Sequence, residues 1–176
     1  MNIPDFVTML GNVSQSLFPV QHLITGGAYL LGIIFFMSAL RRFKAFGERS
    51  SQESSFVPLM YLMFGAALVY LPSAMSSLAN TAFGVGNILT YTNYNQTSIY
   101  SVMGIIVRVA GLIWFVRGSV LVAHSSQPGM QEGPKGLLFI AAGVLSLNFD
   151  NTISMINTLV TNIVSWSINF KISQGY

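Results

Sequence analysis

The sequence predicts an all-α membrane protein with about four transmembrane helices, arranged as two tandem helical hairpins with amphipathic flanking helices. Three observations carry that expectation: long apolar runs, a scarcity of charge, and an uneven distribution of Lys and Arg between the connecting segments. Of the 176 residues, 52% are hydrophobic and 7% charged, whereas soluble domains carry about a quarter charged residues. Eight basic and five acidic side chains cannot coat a soluble globule of this length. A bilayer removes the need, because lipid tails require no polar cover.

The same composition excludes several classes. A formal net charge of +3 is too small and too scattered for direct nucleic-acid binding. The chain has no Cys, so it has no disulfide, thiol redox centre or cysteine metal site. The first basic residue is Arg41. The N-terminus therefore lacks the basic start of a secretory signal, and a standard cleaved leader is not expected.

In chain order, Phe6, Leu10, Val13 and Leu17 mark an apolar stripe before the first span. That span is 23–40, LITGGAYLLGIIFFMSAL, 18 residues without a charge, long enough for a crossing helix. The second runs from 56 to about 75, with Pro58 in its first turn and Pro72 placed to kink or end it. Met75, Leu78, Ala79, Ala82 and Phe83 continue as a stripe beyond it. The third covers about 99–123 and contains Arg108 and Arg117. The fourth begins near Gly136 and is interrupted by Asn148, Asp150 and Asn151. Beyond them, Ile153, Ile156, Leu159, Val160, Ile163 and Val164 recur at helical spacing, opposite Asn157, Thr158, Thr161, Asn162 and Ser165. This amphipathic segment either extends the fourth span or lies against the membrane surface. The stripes lack a Lys/Arg-rich polar face, which favours contact with protein over electrostatic attachment to lipid.

Orientation follows from the basic residues, which collect on the cytoplasmic side of membrane proteins. Arg41, Arg42, Lys44 and Arg49 lie between the first two spans, and Lys135 between the last two. Residues 76–98 contain no Lys or Arg, and the C-terminal tail contains only Lys171. Four spans place both basic loops in the cytoplasm and both termini in the periplasm of a bacterial inner membrane; three would split the loops. Asn95-Gln96-Thr97 fits a glycosylation pattern too short to carry weight.

A cut near residue 90 yields two hairpins of one orientation, 1–90 and 91–176. Their second spans share a local flavour, FGAALVYL at 64–71 and IAAGVLSL at 140–147, which leaves an internal duplication and a chance likeness both open. Gly26, Gly27, Gly32, Gly65, Ala66, Ala67, Ala141, Ala142 and Gly143 are small enough for close helix approach in lipid.

Arg108 and Asp150 are the most informative charges, since a lone charge at mid-bilayer costs about 3 kcal/mol or more. Both fall at similar depth, slightly outside the midplane. Three readings stand: an ion pair that fixes helix register, separate contacts with carbonyls, subunits or headgroups, and an ion or substrate pathway. Arg108 and Arg117 are nine residues apart and point to opposite helix faces, which excludes a voltage-sensor stripe. His22 and His124 fall on opposite membrane sides. No Walker loop, metal-ligand cluster or nucleophile elbow is present, and Gly84-x-Gly86 lacks a nucleotide-site context. Neither enzymatic activity nor a cofactor is expected.

The chain resembles the small polytopic proteins of type IVB secretion and IncI-type conjugation, the IcmC/DotE and TraQ-like proteins. The resemblance rests on size, on the RRFKAFGERSSQ segment after the first span and on the PGMQEGPKG segment before the last. It covers most of the chain and brings no catalytic residues. It implies an inner-membrane structural component of a secretion apparatus, with lipids, other secretion-system membrane proteins and further copies as partners. Each half also resembles a conjugative pilin, a hairpin of two apolar helices joined by a short basic loop. A third class, a holin-like pore or small transporter, needs a polar path that only Arg108, Arg117, Asp150 and scattered Asn or Ser supply.

Overall fold

Long apolar sequence with few helix terminators folds here into six helices among the described residues. The computed structural model describes residues 6–48, 54–84 and 99–173. The elements are α1 (Phe6–Gly47), α2 (Phe56–Val69), α3 (Leu71–Phe83), α4 (Ile99–Ser125), α5 (Gly133–Leu147) and α6 (Phe149–Ser173). Among the described residues there is no strand. The protein is an all-α membrane protein. The boundary near residue 90 and Arg49 lie outside the described residues.

α1 is one continuous helix of 42 residues with Pro19 inside it, about 63 Å long. The expected separate lead-in and first span are therefore one element. Arg41, Arg42 and Lys44 sit on its last turns rather than in a loop, because nothing breaks the helix before Gly47. Lys135 likewise lies in the first turn of α5, where Pro134 fits. The buried face of α1 also differs from the expected stripe. Phe6 and Val13 are exposed, while Ser14, Ala28, Phe35 and Ala39 are buried. In lipid an outward apolar side chain costs nothing, so small residues decide which face packs.

α1 packs antiparallel against α2, and α4 against α5. Glycine permits each close approach. A methyl group on Gly32 would stand 2.9 Å from the Gly65 carbonyl oxygen and 2.7 Å from Val69 N. In the second hairpin, one on Gly111 would stand 3.0 Å from the Gly143 oxygen and 3.2 Å from Leu147 N. Adding 79 to Gly32 and Phe36 gives Gly111 and Phe115, while adding 78 to Gly65 and Val69 gives Gly143 and Leu147. The two seams are thus built from corresponding backbone atoms. Small or compact residues repeat seven apart on all four helices: Gly32 and Ala39, Pro58 and Gly65, Gly111 and Gly118, Gly136 and Gly143.

The correspondence extends to the ends of α2 and α5. α2 stops at Tyr70 (φ −102°, ψ 42°) and α5 at Asn148 (φ −98°, ψ 45°). The chain bends there by 100° into α3 and by 96° into α6. The local likeness of 64–71 to 140–147 is therefore shifted by two residues: Gly65 matches Gly143, and Tyr70 matches Asn148. α2 ends at Val69, and Pro72, which the sequence placed to kink or end the second span, lies in the first turn of α3 just past the bend. α6 does not continue α5 in a straight line.

α1 and α4 are each long and apolar enough to cross a membrane, and each bent pair adds a crossing if counted as one span. α2 and α5, with 14 and 15 residues, are about 21 and 22 Å long, short of the apolar core of about 30 Å. α3 presses Leu71, Met75 and Ala79 inward, against α1 and α5. It ends on Gly84, whose φ of +66° suits a residue without Cβ. α4 joins the hairpins, and Leu112 and Phe115 meet a common core that includes Phe35, Tyr61 and Leu68.

Candidate functional site

The polar side chains gather at the two ends of the bundle. At the end where α5 turns into α6, the structure brings Arg108 and Asp150 together. Arg108 Nη2 donates to Asp150 Oδ2 at 2.5 Å, and Tyr100 Oη donates to Oδ1 at 3.0 Å. Tyr100 also stacks obliquely on Phe149, with ring centroids 5.5 Å apart. The break positions this cluster: Asn148 ends α5 and Asp150 falls in the first turn of α6, where a carboxylate complements the helix dipole.

The bend frees backbone carbonyls, and neighbouring side chains take them up. Buried Asn148 donates Nδ2 to the Val144 oxygen at 2.9 Å, and Thr152 donates Oγ1 to the Leu145 oxygen at 2.7 Å. Arg108 Nε is buried with no partner among the described residues. The carboxylate thus receives one charged and one neutral donor. Asp150 is half-exposed and Arg108 about a quarter exposed on the surface of the bundle.

At the basic end, Phe35, Tyr61 and His124 form a triangle of rings with centroids 5.2 to 5.9 Å apart. The Arg42 guanidinium stands 4.7 Å above the Tyr61 ring, within cation–π reach. Gln127 donates Nε2 to the Tyr61 hydroxyl at 2.5 Å. Beside this triangle opens a cavity of about 650 Å³, lined by Ile34, Ser38, Arg41, Arg42, His124 and Gln127 among others. Lys44 pairs with Glu48 at 3.7 Å on the exposed surface. Lys135 is exposed on α5. Arg117 lies apart, its guanidinium 5.1 Å from the Phe139 ring centroid. His22 is thirteen residues before Phe35 on α1, about 20 Å away, so the two histidines do not meet.

Tyr61, Tyr100 and Gln127 were not legible as site residues, because their roles depend on contacts across helices. Gly111, Gly118 and Gly136 were detectable in principle, through the seven-residue spacing they share with Gly143. Gly26 and Gly27 meet no neighbour. Among the described residues no group of His, Asp and Glu is placed to hold a metal ion. No family model, curated protein or solved structure matches the chain.

Proposed function

We propose that this chain is a structural component of a bacterial inner membrane, within a type IV secretion or conjugation apparatus. In this reading the basic end is cytoplasmic and both termini are periplasmic. The observation that carries it is α6. This helix of 25 residues leaves the bundle with no buried residue among those described. One side presents Ile156, Val160, Ile163 and Trp166; another presents Asn157, Thr158, Thr161, Asn162 and Ser165.

A helix of this kind adds little to the packing of its own bundle. With its apolar side in the lipid boundary, its uncharged polar side is offered to neighbouring proteins. That suits a subunit of a larger assembly. The resemblance carried by RRFKAFGERSSQ and PGMQEGPKG supplies the kind of assembly. The mutual engagement of Arg108 and Asp150 weighs against a conducting path built on either charge.

The test is deletion of the gene with recovery of the tagged full chain from membranes. The expected result is loss of substrate transfer between cells, with co-purification of other secretion-system membrane proteins. Normal transfer in the deletion strain would overturn the reading. Recovery of the chain in sheared extracellular filaments would replace it with a pilin. Ion flux in liposomes, lost in Arg108→Ala, would replace it with a pore.

A further inference from the structure

We propose that the outer face of α4 around Arg117 docks a transmembrane helix of another membrane protein, one that carries an Asp or Glu opposite Arg117. This rests on the membrane setting alone, so it stands or falls separately from the secretion reading. Arg117 lies within the apolar span Ile99–Ser125 and is exposed on the outside of the bundle. Its guanidinium faces the Phe139 ring, and among the described residues it meets no carboxylate. Arg108, on the same helix, is by contrast paired within the chain with Asp150. An arginine inside a span is costly, and one aromatic face offsets only part of that cost.

The guanidinium is not placed to reach a lipid phosphate. Arg117 is eight residues inside the end of α4 at Ser125, about 12 Å. His124 packs beside Phe35, six residues before Arg41, so Arg117 stands about 20 Å below the level of Arg41, where the first apolar run ends. Phe139 belongs to the stretch of α5 level with Gly118, where a methyl group would stand 2.7 Å from the Gly136 oxygen and 2.7 Å from Ile140 N. The side chain therefore runs across the bundle at its own depth, rather than rising along α4 to the headgroups as a snorkelling arginine does.

The surroundings fit a helix. Met103, Ile106, Ala110, Ile113 and Arg117 recur at spacings of three and four, the pattern of a seam between two helices. Met103, Ile106 and Ile113 are exposed, and Ala110 between them is small enough for close approach. A single polar residue in such a seam fixes register and partner. A second copy has no acid to offer on this face. α4 contains no Asp or Glu, and like faces would set Arg117 against Arg117. Asp150 is already engaged by Arg108, and Glu48 and Glu132 lie at the basic end, outside the helices that cross. The counter-charge therefore belongs to another protein.

The experiment uses the full chain, donor-labelled and reconstituted in phosphatidylcholine bilayers, with acceptor-labelled Leu/Ala transmembrane peptides bearing a central Asp, a central Asn or neither. Energy transfer reads association. The Asp peptide should associate about fivefold more tightly than the Asn peptide. Arg117→Gln should abolish that preference, Arg117→Lys should keep part of it, and Lys135→Gln, away from the face, should leave it unchanged. If Arg117→Gln loses its helical circular dichroism, Arg117→Lys decides by a weakened preference. Equal association of the Asp and Asn peptides, or a preference undiminished in the Arg117 variants, would overturn the proposal. A preference erased by added phosphatidylglycerol would assign Arg117 to headgroup phosphate. Energy transfer between copies of the chain, lost in Arg117→Gln, would assign the face to a second copy. Either result would overturn the proposal as well.

Discussion

Gly65 and Gly143 hold the same place in the two halves of the chain. Each lies five residues before a helix break, at Tyr70 and Asn148, and each faces the carbonyl oxygen of a glycine on the preceding helix, Gly32 and Gly111. Backbone contact at this range leaves no room for a side chain at either position. The near-equal bends that follow, 100° and 96°, make each half a glycine-seamed hairpin turned sharply into a further helix.

The seam predicts a sharp contrast among glycine variants. Gly143→Ala would place its methyl 2.8 Å from the Gly111 oxygen and 2.9 Å from Phe115 N. Gly111→Ala would meet Ser146 Cβ at 2.6 Å. Each should cost about 1–3 kcal/mol through forced helix separation. Gly26→Ala and Gly27→Ala meet no neighbour and should be neutral or slightly stabilising, as expected of alanine in a helix. Reversible unfolding in mixed micelles checks the series, and equal effects at all four sites would contradict the seam.

Removing one charge from the cluster should harm more than removing both. Arg108→Gln leaves Asp150 with only the Tyr100 hydroxyl, and Asp150→Asn leaves a guanidinium without its counter-charge. The Arg108→Gln/Asp150→Asn variant should recover part of the lost stability. For two groups in direct contact the expected coupling is about 1 kcal/mol. A double-mutant cycle measures it directly, and strict additivity would show that the two groups act independently.

The proposed orientation predicts opposite labelling of two single-cysteine variants, made in a chain that has no Cys of its own. Lys44→Cys should react with an impermeant maleimide only after the cells are opened. Asn169→Cys should react in intact spheroplasts. The reverse pattern would invert the topology, and reaction of both in intact spheroplasts would remove the crossing between them.

Composition alone carried the membrane class, because a bilayer tolerates a surface that water does not. The helical segments followed from their apolar runs and from the few residues able to end them. Which face of α1 packs was not readable from its apolar stripe: Phe6 and Val13 are exposed, while the small Ser14 and Ala28 are buried. In water the stripe would have marked the core, but in lipid it does not. The breaks at Tyr70 and Asn148 were legible in outline, from Pro72 placed to kink or end the second span and from Asn148, Asp150 and Asn151 interrupting the fourth. The size of the bends was not, and the bonds from Asn148 and Thr152 to the carbonyls of Val144 and Leu145 carried no local signal. Arg108 and Asp150 stood out because charge is rare here, while Tyr100, fifty residues from Asp150, carried no local signal.

The turn of α6 is the part of the account on which both architecture and proposed role depend. A spin-label scan of single-cysteine variants from Ile153 to Phe170 measures it directly, reading collision with oxygen against a water-soluble nickel complex in bilayers. The account predicts an oscillation of about 3.6 residues at constant shallow depth, with Ile156 and Ile163 in lipid and Asn157 and Asn162 in water. A steady change in depth along the segment would instead make α5 and α6 one straight span and contradict the account.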